Sequence, residues 1–148
     1  MSANLDQSID PNSIFEITEA IRVPMLGDAY AGKPVPLDAL PIEGWREIRP
    51  IKGAKPWDTF AAIRAVGDSL IEDHILNGDF LIIRLTHQTY FGELAVILTP
   101  HGNTIKYIHP HLDDTVLLKG ANALFEDQIW DAKDLKVQGV VRRIERDL

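Results

Sequence analysis

Residues 66–83 read VGDSLIEDHILNGDFLII, and the periodicity changes along this stretch. Its end opens Phe80–Leu85, a short apolar run of strand length. A second such run, Thr59–Val66, leads into it. Between the two, Leu70, Ile71, Ile75 and Leu76 recur at spacings that suit one face of a short helix over Leu70–Leu76. Asn77-Gly78 closes that helix, because Asn and Gly tolerate the positive φ at which helices stop. Downstream, further strands are predicted at Leu94–Thr99, Thr104–Ile108, Val116–Leu118 and Leu135–Ile144. Closely spaced strands around one short helix predict a mostly β domain built on a curled antiparallel sheet.

Upstream the chain changes character near residue 58. Pro24, Gly27, Gly32, Pro34, Pro36, Pro41, Gly44, Pro50, Gly53 and Pro56 punctuate residues 1–57, and such a stretch cannot sustain long helices. It reads as an extended N-terminal arm, with residues 58–148 as the domain proper. Within the arm only Ser13–Arg22 (SIFEITEAIR) suits a helix, and it suits a short strand equally. No helix-turn-helix fits before residue 58.

Composition narrows the functions open to the chain. Its 148 residues correspond to one domain with a sizeable core, and the composition is that of an ordinary globular protein. There is no cysteine, which excludes disulfides, thiolate nucleophiles and cysteine-ligated metals. No stretch approaches the roughly 18 apolar residues of a membrane span, and the polar, acidic start MSANLDQSIDP is unlike a targeting peptide. A cytoplasmic location is expected. A formal net charge of −7 argues against gripping duplex DNA unaided. Arg142, Arg143 and Arg146 lie among Glu145 and Asp147 and read as a solvated end.

Ser69 sits where a strand meets the predicted helix. Backbone N–H groups there lack internal partners and lie at the positive end of the helix dipole, a setting suited to an oxyanion. By location alone, Ser69 reads more simply as a helix cap. A nucleophilic serine also needs a base. His109 and His111, followed by Asp113 and Asp114, lie around Pro110 in a surface loop, and no further spaced ligand completes a metal pattern. No metal and no cofactor is expected. Lys106, in NTIKYIH, stands among β-branched and apolar neighbours. A buried lysine loses its proton readily, although most strand lysines simply point into solvent. The GDSL tetrapeptide also suggests GDSL lipases and esterases, but those need a late Asp-x-x-His, and no histidine follows His111.

Taken together, these motifs resemble the LexA/UmuD family of self-cleaving serine–lysine peptidases (peptidase S24-like), which includes phage repressors. VGDSLIEDHILNGDFLII is similar to its signature: Gly-x-Ser-Met, a variable stretch, then Gly-Asp before an apolar strand. Lys106 follows Ser69 by 37 residues, the family interval, and TIKYI is similar to the family's Thr-Val-Lys strand. LLKGANALFEDQI and VQGVVRRI resemble its later segments, so the likeness covers about residues 22–146. LGDAYAGKPVP offers Ala31–Gly32 as the Ala-Gly bond that the family cuts, 38 residues before Ser69. Ala29 and Tyr30 depart from the small or β-branched residues usual there, and Leu70 replaces the methionine after the serine.

The resemblance implies a LexA/signal-peptidase-like β fold in which Lys106 activates Ser69, the backbone N–H groups of Asp68 and Ser69 hold the oxyanion, and the Ala31–Gly32 bond is cut. The ~30 residues before that bond suggest UmuD, which implies a homodimer, activation by RecA filaments on single-stranded DNA, and a Y-family polymerase partner in the SOS response. The alternatives are a LexA-like or phage-repressor autocleavage domain without its DNA-binding domain, and a catalytically idle dimerisation module. Signal peptidases share the chemistry but require a membrane anchor.

Overall fold

Phe80–Leu85 is apolar at nearly every position because it is covered on both faces. Alternate side chains of a strand point to opposite sides, and here both sides are core. Leu81 and Ile83 pack on one face with Ala61, Ala65, Leu70, Ile75 and Val96. Ile82 packs on the other with Val23, Ile48, Ile51, Phe60 and Ala62. Burying each of these large side chains contributes about 1.5–3 kcal/mol.

The computed structural model describes residues 20–27 and 35–148. Among the described residues nine strands, β1 (Ile21–Leu26), β2 (Ile42–Ile48), β3 (Phe60–Arg64), β4 (Phe80–Leu85), β5 (Leu94–Thr99), β6 (Gly102–Pro110), β7 (Thr115–Lys119), β8 (Gln128–Asp131) and β9 (Lys136–Glu145), form one open sheet. Their order is β2-β1-β3-β4-β9-β5-β6-β7-β8. Every pairing is antiparallel except that of β1 with β3, where Met25 stands opposite Ala62. Register shifts at Met25/Leu26, Ile82/Ile83 and Val96/Ile97 add the local bend and twist that curl the sheet. The chain is mostly β with a curled, predominantly antiparallel sheet, as its patterning predicts.

Two local expectations change. The short helix expected over Leu70–Leu76 is a single 3-10 turn, Ile71–Asp73, stopped by His74 at φ 63°. The turn is short because its backbone is engaged elsewhere: the Glu72 N–H bonds to Ala121 O, and Ile75 N–H reaches back to Leu70 O. Leu70 and Ile75 are both buried and pin the two ends of the turn to the core. The region before residue 58 also contains two strands of the common sheet. Punctuated by Pro24 and Gly44, β1 and β2 lack a continuous apolar run, and β2 is an edge strand with Ile42 and Trp45 exposed. Residues 13–19 of the ambiguous SIFEITEAIR segment lie outside the described residues; Ile21 and Arg22 begin β1.

The loop from β3 to β4 is closed at its neck. Ala65 N–H bonds to Asp79 O and Gly78 N–H bonds to Ala65 O, both at 2.8 Å, with Gly78 at φ 95°. Asp79 is buried. One of its oxygens accepts from Arg146 Nε and the other from Arg146 Nη2 and the Leu76 N–H. The Arg146 hydrogen bonds, followed by that from Leu76, hold the Asp79 carboxyl below the usual carboxylate range. A carboxyl lowered in the folded state stabilises above its unfolded pKa of about 3.9, and that stabilisation is lost as pH falls through the folded value. Arg146→Gln is therefore expected to lower the melting temperature at neutral pH and to raise the midpoint of acid unfolding, as followed by circular dichroism.

Candidate active site

Ser69 lies on the turn after β3, half-buried, between exposed Asp68 and buried Leu70. Residues 120–123, which follow β7, brace it along one side. Ala121 N–H donates to Ser69 O at 2.6 Å, and Glu72 N–H donates to Ala121 O at 2.8 Å. Asn122 Nδ2 donates to Asp68 O at 2.9 Å, and Ala123 N–H donates to Glu72 Oε2 at 2.8 Å. The peptide planes around Ser69 are therefore held from outside the turn as well as within it.

Lys106 lies on β6, opposite the fully buried Ala95 of β5. Its side chain is only partly exposed, and burial lowers its pKa. Among the described residues no carboxylate forms an ion pair with it. An amine desolvated without a counter-ion favours its neutral form.

Gly120 is where these parts meet. A Cβ placed on it would fall 2.6 Å from Ser69 O, 3.6 Å from Ser69 C and 3.7 Å from Lys106 Nζ. The serine backbone and the lysine amine thus converge on one point, and only glycine leaves room for the approach. No direct hydrogen bond between Ser69 Oγ and Lys106 Nζ is present among the described residues. Contacts of this kind often tighten only when substrate is bound. Among the described residues the N–H groups of Asp68 and Ser69 donate to no carbonyl or side chain. With a single 3-10 turn following, they do not stand at the head of a helix dipole.

The remaining candidates fall elsewhere. Ala31 and Gly32 lie outside the described residues, which stop at Gly27 and resume at Val35. Gly27 and Leu37, either side of that interval, line a cavity of about 150 Å³ together with Val66, Asn103, Thr104 and Ile105. His111 Nδ1 pairs with Thr115 Oγ1 at 2.9 Å, beside Asp113 at φ 55°. Among the described residues no three His, Asp or Glu side chains gather as a metal site. Reading the sequence alone misses Gly120, Ala121 and Asn122. Their one sequence signal is a glycine immediately after β7, and nothing local says which turn it approaches.

A profile of the Peptidase S24-like family matches residues 24–142, most of the chain. The chain belongs to this family. Within it the chain is similar to LexA repressors. It is 34% identical over 128 residues to that of Erythrobacter litoralis, covering 83% of the chain and 51% of the relative. It is 34% identical over 129 residues to that of Syntrophomonas wolfei, covering 86% and 61%. For Thermosipho africanus the figures are 30% over 127 residues, 86% and 63%. This S24-like chain therefore spans about half to three-fifths of the length of these curated relatives. Among the described residues no helix is long and apolar enough to cross a membrane.

Gly120→Ala tests the close approach. The added methyl must displace the Ser69 peptide, and overpacking of this kind costs about 1–3 kcal/mol. Chemical denaturation is expected to show that loss, and the amide resonances of residues 68–72 should shift while those of β4 stay in place.

Proposed function

We propose that the chain is an autoproteolytic serine endopeptidase with Ser69 as nucleophile and Lys106 as general base, cutting its own Ala31–Gly32 bond. The observation that carries this reading is the convergence at Gly120 of a desolvated amine, without a carboxylate partner among the described residues, and the Ser69 turn. Neutral Lys106 takes the hydroxyl proton as Ser69 Oγ adds to the Ala31 carbonyl. The Asp68 and Ser69 N–H groups receive the oxyanion. The Ala31–Gly32 C–N bond then breaks, and the Lys106 ammonium returns its proton to the departing Gly32 amine. Lys106 next deprotonates a water that attacks the Ser69 ester, which frees Ala31 as a carboxylate and regenerates Ser69.

The wider reading follows the family. A UmuD-like protein is a cytoplasmic homodimer whose cleavage is stimulated by RecA on single-stranded DNA and whose processed form serves a Y-family polymerase in the SOS response. The LexA names of the relatives favour a second reading, the autocleavage part of a LexA-like regulator. Co-purification of the processed chain with a Y-family polymerase supports the first. A helix-turn-helix encoded upstream in the same reading frame supports the second. A chain that never cleaves is an idle dimerisation module.

Intact-mass spectrometry after alkaline incubation is expected to show a product of residues 32–148. The rate should rise between about pH 6 and about pH 10, because only neutral Lys106 accepts the proton. Ser69→Ala should lower the rate at least about 1,000-fold with an unchanged circular dichroism spectrum. A flat pH profile, or cleavage that survives in Ser69→Ala, contradicts the mechanism.

A further inference from the structure

Tyr107 directly follows Lys106 on β6, and Asp73 closes the 3-10 turn that starts two residues after Ser69. The Tyr107 hydroxyl donates to Asp73 Oδ2. Among the described residues this is the one hydrogen bond between residues 67–79 and β6. The other polar ties of the loop run to residues 121–123, to Ala65 and to Arg146, or stay within it. The Tyr107 side chain also packs against the cluster that takes in Leu70 and Ile75 from the same turn.

We propose that Tyr107 and Asp73 are a positioning pair that holds the Ser69 turn in register with the strand carrying Lys106, an inference that rests on the dyad reading above. The residues at 121–123 fix the turn against the end of β7, but Lys106 is on a different strand. Lys106 and Tyr107 are covalent neighbours, so a bond from Tyr107 to the turn limits how far the nucleophile can move relative to the base. A small displacement between reacting groups is costly to rate, so one hydrogen bond at this point has leverage. Burial, followed by the hydrogen bond to Asp73, pushes the Tyr107 pKa up to about 12. The hydroxyl therefore stays a donor throughout the range in which a lysine base is activated.

The test follows self-cleavage of the full chain by intact mass against pH, at a temperature where circular dichroism shows every variant folded. Tyr107→Phe and Asp73→Ala are each expected to lower the alkaline plateau about tenfold, the scale of one hydrogen bond, without moving the midpoint. Asp73→Asn keeps an acceptor for the tyrosine and is expected to regain most of the rate lost in Asp73→Ala. The double variant Tyr107→Phe/Asp73→Ala should be no slower than the slower single variant. Wild-type rates in Tyr107→Phe overturn the proposal, as does an Asp73→Asn variant as slow as Asp73→Ala. A midpoint that moves when Asp73 loses its charge also overturns it, because Asp73 would then act electrostatically on Lys106. A wild-type chain that does not cleave, like its Ser69→Ala control, overturns the dyad reading and the positioning role with it.

Discussion

Lys106 is held partly out of water with no carboxylate among the described residues to balance it, and the rest of the site is arranged around that constraint. A lysine on a surface strand keeps its proton and its solvent shell. Here β6 is paired on both sides, by β5 and β7. The residue opposite, Ala95, is small and completely buried, and Gly120 presents no side chain. Those features let the amine lie along the sheet toward Ser69 instead of outward. The desolvation that lowers its proton affinity is unfavourable to the folded chain wherever the amine is charged.

The same geometry explains the extensive bracing of the β3–β4 loop. Its neck is closed by the Ala65, Gly78 and Asp79 backbones. One side lies against residues 121–123, and Arg146 spans the buried Asp79 and His74 O. Leu70 and Ile75 anchor the loop from below. A loop fixed on several sides by different elements retains its shape without regular helix, and a single 3-10 turn is enough to present Ser69. Membership of the S24-like family agrees with this economy of helical structure.

Much of this was legible in the residue pattern where burial left a periodic mark. Phe80–Leu85 and Leu94–Thr99 are apolar at nearly every position because both faces of each strand are covered, and their observed bounds coincide with those expected. β1, β2 and β8 were not legible. β2 and β8 are the edges of the sheet, and Pro24 interrupts β1, so none of the three carries a continuous apolar run. The Leu70–Leu76 helix was over-read, because apolar spacing alone does not show that Glu72 N–H is claimed by Ala121. For the proposed site, the motif and the interval are what single out Ser69 and Lys106. Gly120 and the Asp73–Tyr107 pair carry no such mark, since their contacts join segments distant in sequence.

Central to the proposed mechanism is a fold that loosens the hold of Lys106 on its proton enough for the amine to act as base toward Ser69. It is tested most directly by NMR titration of the lysine side chains in the Ser69→Ala chain, labelled at the Cε carbons and assigned with Lys106→Arg. The account predicts that Lys106 releases its proton at clearly lower pH than a free lysine side chain. A Lys106 resonance that titrates at or above the pH of a free lysine would contradict it.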